Sequence, residues 1–366
     1  MIGKIFSFIL AVFFVFINGC TQIFYAKSMG YKIKPTSCAY FVGAIGNLLT
    51  GNIVPISAQS ETLTMGGLIK DTRERVTALL IAALVGIIAG LTGTISTLVD
   101  FAGNIVISGM MAGVGLILCD VSIDMIKAEK RVGLISMGSA ILTWVFSGNL
   151  VYTIAVSVLI STMDFCAFAK RRVIIPDDEG TDWKFWKQNY WNDFKLVKPR
   201  FSIGAIVGAL SLICLNIGSN ISFGGISAGM ANASANYDVL TIINSAADIP
   251  SVIFGGMPLE VIISGTCSAP WPWMAGIIMM LFSGILLFSG VMIKLAKYVP
   301  AQSIAGFLFV IGFSATLVPN LLSIAGTDSP LEGIVAAAVT MISKNAFLGI
   351  VAGIIVKITG SLLGIV

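Results

Sequence analysis

Residues 257–266 read Met-Pro-Leu-Glu-Val-Ile-Ile-Ser-Gly-Thr, which places the carboxylate of Glu260 inside a long apolar run. A charge in bilayer hydrocarbon costs roughly 2.5–3.5 kcal/mol on insertion scales, so an acid is retained there for a task or a partner. Pro258, two residues earlier, lacks a backbone donor and breaks a helix. The stretch therefore predicts an interrupted membrane segment that carries a buried polar site.

A second stretch of this kind lies in the first half of the chain. Residues 54–61 read Val-Pro-Ile-Ser-Ala-Gln-Ser-Glu, so Glu61 also follows a proline, Pro55, in a segment of poor helix formers. Both segments lead into long apolar runs. Two acids in apparently matching places predict one site built by two related halves.

The composition indicates a membrane protein. Of the 366 residues, 57% are hydrophobic and only 11% are charged, whereas a soluble domain carries about 25% charged residues. The apolar residues form many runs of about 20 residues, the length that spans a bilayer. We therefore expect a polytopic α-helical protein of the cell (inner or plasma) membrane. The net charge of +4 comes from short basic clusters between apolar runs, which gives no indication of a nucleic-acid partner.

About fourteen membrane segments are predicted, seven on each side of a long polar stretch. The expected organisation is a first half at 1–169, a polar interfacial connection at 170–200 and a second half at 201–366. Trp183, Trp186 and Trp191 have the spacing of an amphipathic interfacial helix within the connection. The predicted segments are 4–25, 36–50, 52–68, 76–97, 101–119, 132–147, 149–168, 202–222, 238–254, 258–270, 272–293, 300–319, 331–343 and 346–364.

The two halves resemble each other in sequence. Residues 101–115 align without gaps on residues 298–312, so that Gly109 meets Gly306 and Gly115 meets Gly312. Since each half has an odd number of segments, the second half is expected to be inverted in the membrane. Inverted repeats with interrupted helices at the midplane are typical of secondary transporters. The basic clusters all follow odd-numbered segments, and the positive-inside rule then places both termini outside.

The sequence offers few groups for chemistry. It contains no phosphate-binding loop and no histidine, so we expect no enzyme activity, no cofactor and no metal site. Transport would have to follow a gradient or be coupled to a proton or sodium ion. Burial favours the protonated form of a carboxyl group, which makes Glu260 and Glu61 the candidates for proton coupling.

Polar side chains near the two acids are candidates for substrate binding. Hydroxyls, amides and freed backbone groups would suit a flat heterocycle, although small polar residues also serve helix packing. For any single hydroxyl here, packing is the favoured interpretation. Asp248 precedes Ile249-Pro250 and is interpreted as a helix cap. The full set of candidates is Glu260, Glu61, Gln59, Ser57, Ser264, Thr266, Asn216, Asn220 and Asn18.

The motifs Pro55-Ile-Ser-Ala-Gln-Ser-Glu61 and Gly67-Leu-Ile-Lys-Asp, together with the aligned stretches 101–115 and 299–312, resemble the nucleobase/ascorbate transporters. This family is also called NCS2 or the xanthine/uracil permeases. The resemblance implies core and gate domains that interleave across both halves, and short strands in segments 3 and 10 that meet at the midplane. It also implies that an acid at the position of Glu260 contacts the base.

The expected function is therefore an ion-coupled symporter of a nucleobase such as a purine, xanthine or uracil, with a homodimer among the expected forms. The acid that the family carries in segment 8 is absent, since that segment offers only Asn216 and Asn220. An organic or inorganic anion transporter of the same fold remains the alternative.

Overall fold

The computed structural model describes residues 2–168, 193–296, 298–327 and 330–363, and the chain is a multi-pass helical membrane protein. In these ranges, six helices are long and apolar enough to cross a membrane by themselves. The tryptophans of the predicted interfacial helix, at 183, 186 and 191, lie outside the described residues.

The first half forms seven membrane segments, of which the third is broken into a strand and a short helix. The predicted segments agree with the observed ones except at segments 4 and 5: α4 ends at Leu91 and not at 97, and α5 covers 94–128 and not 101–119. Gly93, with φ 70, separates the two helices, and the polar end of α5 remains helical. The elements are α1 (Ile2–Ser28), α2 (Thr36–Thr50), β1 (Ile56–Ser57), α3 (Ser60–Gly67), α4 (Thr72–Leu91), α5 (Thr94–Ala128), α6 (Lys130–Ser147) and α7 (Leu150–Phe168).

The second half repeats this pattern, with breaks in its third and fifth segments. Segment 10 consists of β2 (Glu260–Val261) and a 3-10 turn (Gly265–Ser268). Segment 12 begins with a 3-10 turn (Ala301–Ile304) and contains a π-helical stretch (Ile311–Leu317). The helices are α8 (Ile203–Met230), α9 (Tyr237–Val252), α10 (Pro272–Ser289), α11 (Val291–Ala296), α12 (Ala305–Val310), α13 (Val318–Ala325), α14 (Leu331–Ser343) and α15 (Ala346–Leu363).

The two interrupted segments meet as a short antiparallel pair of strands. Ile56 pairs with Val261 and Ser57 pairs with Glu260. The backbone N–H of Ile262 also donates to the carbonyl of Pro55 at 3.3 Å. Because proline has no backbone N–H and does not continue a helix, the prolines leave two extended chains, which pair with each other through their backbones. The predicted strands in segments 3 and 10 are confirmed.

Contacts between the halves follow the sequence repeat. The backbone of α5 breaks at Gly103 (φ 82, ψ 167), and the aligned position, Pro300, directly precedes the 3-10 turn of segment 12. Gly109 of α5 packs against the backbone of Gly333 in α14, and the aligned Gly306 packs against the backbone of Ser136 in α6. Segment 5 therefore packs on segment 13 as segment 12 packs on segment 6, the relation that an inverted repeat produces.

The helices pack in two groups. In the first group, α4 packs on α9 and α8, and α2 packs on α9 and α10. In the second group, α5 packs on α14, α15 and the π-helical stretch, while α6 packs on α7 and α12. Helix α1 contacts both α7 and α10 and so lies between the groups. The division into core and gate domains that the resemblance implies stays a prediction.

Basic side chains gather at one end of the bundle, here called the basic face. Arg200 bonds Asp71 at 3.1 Å, and Arg131 bonds Asp164 at 2.8 Å. The backbone N–H of Val197 donates to the carbonyl of Ile253, just past the end of α9. This hydrogen bond holds the chain before α8 against the basic face. The positive-inside rule assigns the basic face to the cytoplasm, which stays a prediction.

Candidate functional site

The strand pairing delivers Glu260 to helix α8 in the middle of the first group. The side chain is only 1% exposed. Ser219 Oγ donates to Glu260 Oε2 at 2.8 Å, and Thr62 of α3 also hydrogen-bonds the carboxylate. The amide orientation of Asn216 that satisfies both of its ends has Nδ2 donate to Leu212 O at 2.9 Å and to Glu260 Oε1 at 2.5 Å. Side chains of segments 3 and 8 therefore hold the acid of segment 10 in place.

Two small cavities lie between the two packing groups, and Glu260 lines one of them. Cavity 1, of about 80 Å³, is lined by α1, the β1–α3 connection, α5, α8 and segment 12. Cavity 2, of about 50 Å³, is lined by Glu260, Ser219, Thr62 and side chains of α5, and reaches the α14–α15 turn. The two cavities share Gln59 and Glu61. The acid thus faces the boundary between the groups.

Four of the predicted binding residues line these cavities. Glu260 lines cavity 2, Ser57 lines cavity 1, and Gln59 and Glu61 line both. Ser57 Oγ bonds the hydroxyl of Tyr40 at 2.7 Å, and Tyr40 also receives the backbone N–H of Ala58 at 3.4 Å. This pair fixes the end of β1 beside the acid.

Glu61 and Glu260 do not occupy equivalent places, contrary to the approximate match inferred from sequence. Glu260 lies in β2, opposite Ser57, whereas Glu61 lies in the first turn of α3 and is half-buried. The mismatch arises because the acid follows its proline by two residues in one half and by six in the other. The two carboxylates meet at the cavities from different structural positions.

Other predicted residues lie away from the described cavity linings. Ser264 Oγ caps the 3-10 turn by accepting from Thr266 N at 3.2 Å, and the two hydroxyls bond each other at 2.7 Å. Asn220 donates to Thr241 of α9 at 3.1 Å. These contacts give the three residues packing roles, and substrate binding by them stays a prediction. Asn18 belongs to α1, and its side chain lies outside the described part of the structure.

The sequence reasoning missed several members of the site. Ser219 follows Asn216 by three residues in α8, a spacing that puts both on one helix face, and this was the available signal.

Asp248 is not a cap at the start of a helix. It lies inside α9, is 2% exposed, and accepts the backbone N–H of Leu259 at 2.7 Å.

The charges at the cavities are mainly negative. Glu61 and Glu260 line them, and the one basic lining residue among those described is Lys344, at the rim of cavity 2. Lys344 is 61% exposed and bonds Asp120 of α5 at 3.0 Å. Such a lining favours hydrogen-bond donors and cations over anions close to the two glutamates.

Comparison with known proteins bears on the fold. No protein-family model matches the chain, and no curated protein sequence matches it. Among solved structures, it is similar to the transmembrane domain of the cyanobacterial bicarbonate transporter BicA. That match has a TM-score of 0.52 at 13% identity and covers 91% of this chain and 96% of the other. The chain has this transporter fold.

Two further structures with this fold are similar to the chain. SLC26A9 matches with a TM-score of 0.55 at 12% identity, covering 99% of this chain and 66% of that protein. The murine Slc26a9 anion transporter in the inward-facing state matches with a TM-score of 0.49 at 14% identity, covering 98% and 68%. The likenesses to BicA and SLC26A9 agree with the fold that the NCS2 resemblance implies, while membership of that family stays a prediction.

Proposed function

We propose that the chain is a secondary transporter that moves a small uncharged solute, such as a nucleobase, together with a proton or sodium ion. The observation that carries this proposal is the position of Glu260. The residue lies in the strand pair formed by segments 3 and 10, is hydrogen-bonded by side chains of segments 3 and 8, and lines cavity 2 between the two packing groups.

A nucleobase suits this lining because it offers N–H donors and carbonyl acceptors on one flat edge. The carboxylate of Glu260 accepts N–H groups, and the amide of Gln59 both donates and accepts. Phe223, which lines both cavities, supplies an aromatic wall. Both cavities are small, so the substrate would enter as the two groups move apart.

The fold supplies a means of alternating access. A site between two groups of helices can open to one side and then the other when one group moves against its partner. Charge compensation of Glu260 by a proton, a cation or a bound base would lower the cost of moving it through the bilayer. Transport would then be coupled to the ion that neutralises the acid.

An anion is the second candidate substrate. BicA transports bicarbonate, and Lys344 at the rim of cavity 2 offers one positive charge. The two glutamates oppose anion binding unless they are protonated or paired with a cation. For this reason, we rank the anion below the uncharged base.

Uptake into proteoliposomes tests these alternatives. Purified protein would be supplied with labelled uracil, xanthine, adenine, hypoxanthine, bicarbonate and sulfate, at pH 6 and 8, with and without a sodium gradient. We expect accumulation of at least one base that depends on an imposed ion gradient. Accumulation of bicarbonate or sulfate with none of the four bases would replace the nucleobase proposal with the anion one.

A further inference from the structure

Helix α9 carries a stripe of buried polar side chains on one face. The stripe consists of Thr241, Asn244, Asp248 and Ser251, each at most 2% exposed. The spacing of three, four and three residues places them one turn apart along the helix. The stripe lies inside the first packing group, out of reach of bulk solvent.

Three members of the stripe form hydrogen bonds with other groups of the protein. Thr241 Oγ1 accepts from Asn220 Nδ2 at 3.1 Å. Asp248 Oδ1 accepts from the backbone of Leu259 at 2.7 Å, and Ser251 Oγ donates to Met257 O at 2.7 Å. The last two bonds hold the extended chain directly before Glu260.

Asn244 has no partner for either end of its amide. Its side chain is 0% exposed, and neither Oδ1 nor Nδ2 has a hydrogen bond among the described residues. Asn220, which is joined to the stripe through Thr241, also has a buried Oδ1 without a partner. An unsatisfied buried polar group destabilises the fold. Groups of this kind in native proteins indicate a bound water or ion.

The carboxyl group of Asp248 near Asn244 indicates what kind of ligand would bind there. Asp248 lies one turn away, and no lysine or arginine of the described residues pairs with it. The carboxylates of Asp248 and Glu260 are also close enough to interact electrostatically. A buried acid without a basic partner among these residues is neutralised by a proton or by a bound cation, and the unpartnered amide oxygen of Asn244 beside it favours the cation. Amide and carboxylate oxygens are the ligands that hard cations prefer.

We propose that Asn244 and Asp248, with Asn220 beside them, hold one monovalent cation together with a bound water. The amide and carboxylate oxygens bind the cation, and Asn244 Nδ2 donates to the water. The site lies between α8 and α9, apart from the two cavities. Cation binding stands by itself, whereas a role for the ion in coupling rests on the proposed transport function.

Thermal unfolding of the purified protein tests the site without a transport assay. Sodium chloride would be compared with choline chloride at equal ionic strength. Because a ligand that binds only the folded state stabilises it, we expect sodium to raise the unfolding midpoint saturably. Asp248→Asn keeps an oxygen for Leu259 N but removes the charge, and Asn244→Leu removes both amide ends. Each should raise the half-effective sodium concentration at least tenfold.

Control variants distinguish this site from sodium binding at the cavities and from a general effect of salt. Ser211→Ala, at an exposed hydroxyl of α8, should leave the sodium response unchanged. The proposal is overturned if sodium and choline act alike on the wild type, or if both test variants keep the full response. It is also overturned if only Glu260→Gln abolishes the response, since the ion would then bind at the cavities. A sodium response without any uptake would instead remove the transport function and leave the site intact.

Discussion

Gly115 of α5 and Gly312 of the π-helical stretch meet backbone to backbone. A Cβ added to Gly115 would lie 2.7 Å from Gly312 O, and one added to Gly312 would lie 2.8 Å from Gly115 O. These residues are also aligned with each other in the sequence repeat. Two equivalent positions that contact each other lie on the axis relating the halves, so this contact marks the centre of the second packing group.

Gly115→Ala should destabilise the protein because the added methyl group meets backbone that cannot move aside. Overpacking in a tight core costs about 1–3 kcal/mol, and we expect a clear fall of the thermal unfolding midpoint in detergent. Gly138→Ala is the matched control, since a Cβ there meets nothing within 4 Å. Equal midpoints for the two variants would contradict the close contact.

Glu260→Gln and Ser219→Ala should both reduce uptake of the transported solute. The first removes the charge, and the second removes a donor that lies 2.8 Å from it. Hydrogen bonds to charged groups contribute about 1.5–3 kcal/mol, so we expect a loss of at least about tenfold in Vmax/KM. The ion dependence should also disappear in Glu260→Gln.

Asp124→Asn serves as the control for the uptake experiment, because Asp124 pairs with Lys127 on an exposed surface. Full, ion-dependent uptake by Glu260→Gln would remove this residue from the mechanism. A loss in Ser219→Ala that is restored by Ser219→Thr would show that the hydroxyl itself is needed.

Lys357→Met should destabilise the break in α5. Lys357 Nζ donates to Phe101 O at 3.0 Å and to Ala102 O at 3.1 Å, two carbonyls that precede the kink at Gly103. Removing the ammonium leaves them without this donor, at an expected cost of about 2 kcal/mol in unfolding free energy. Lys127→Met, at an exposed ion pair, should cost about 1 kcal/mol or less. A smaller effect at Lys357 than at Lys127 would refute this role.

Asp71→Ala should weaken the start of α4 on the basic face, whereas Asp71→Asn should keep the cap and lose only the interactions of the charge. The Asp71 carboxylate accepts from Arg73 N at 2.8 Å as an N-cap, and asparagine caps equally well. The Arg73 N–H, and secondarily Arg200, hold the pKa of Asp71 below its ordinary value. The charge therefore stabilises at neutral pH and loses its effect as pH falls through that lowered pKa.

Unfolding midpoints measured at pH 7 and at pH 3 check this behaviour. At pH 7, the unfolding midpoint of the wild type should be higher than that of Asp71→Asn. The difference between the two midpoints should be smaller at pH 3. A difference that grows on acidification would contradict the assigned sign.

The sequence by itself determined the membrane class, the fourteen segments, and the breaks at Pro55 and Pro258. These features follow from the composition and from the backbone donor that proline lacks, so they require no knowledge of distant contacts. The alignment of Gly109 with Gly306 also predicted the repeat, because glycine is favoured where backbones approach closely.

Only the tertiary structure decided which polar side chains meet. The strand register places Glu260 opposite Ser57, while the rotation of α8 turns Ser219 towards the acid and Asn220 towards α9. When a helix is buried on most sides, apolar residues occur all around it. Its sequence then has no apolar stripe that would show which way a given polar side chain points. Contacts between segments far apart in the chain depend on how whole helices pack, and that packing brought Glu61 and Glu260 to the lining of one cavity.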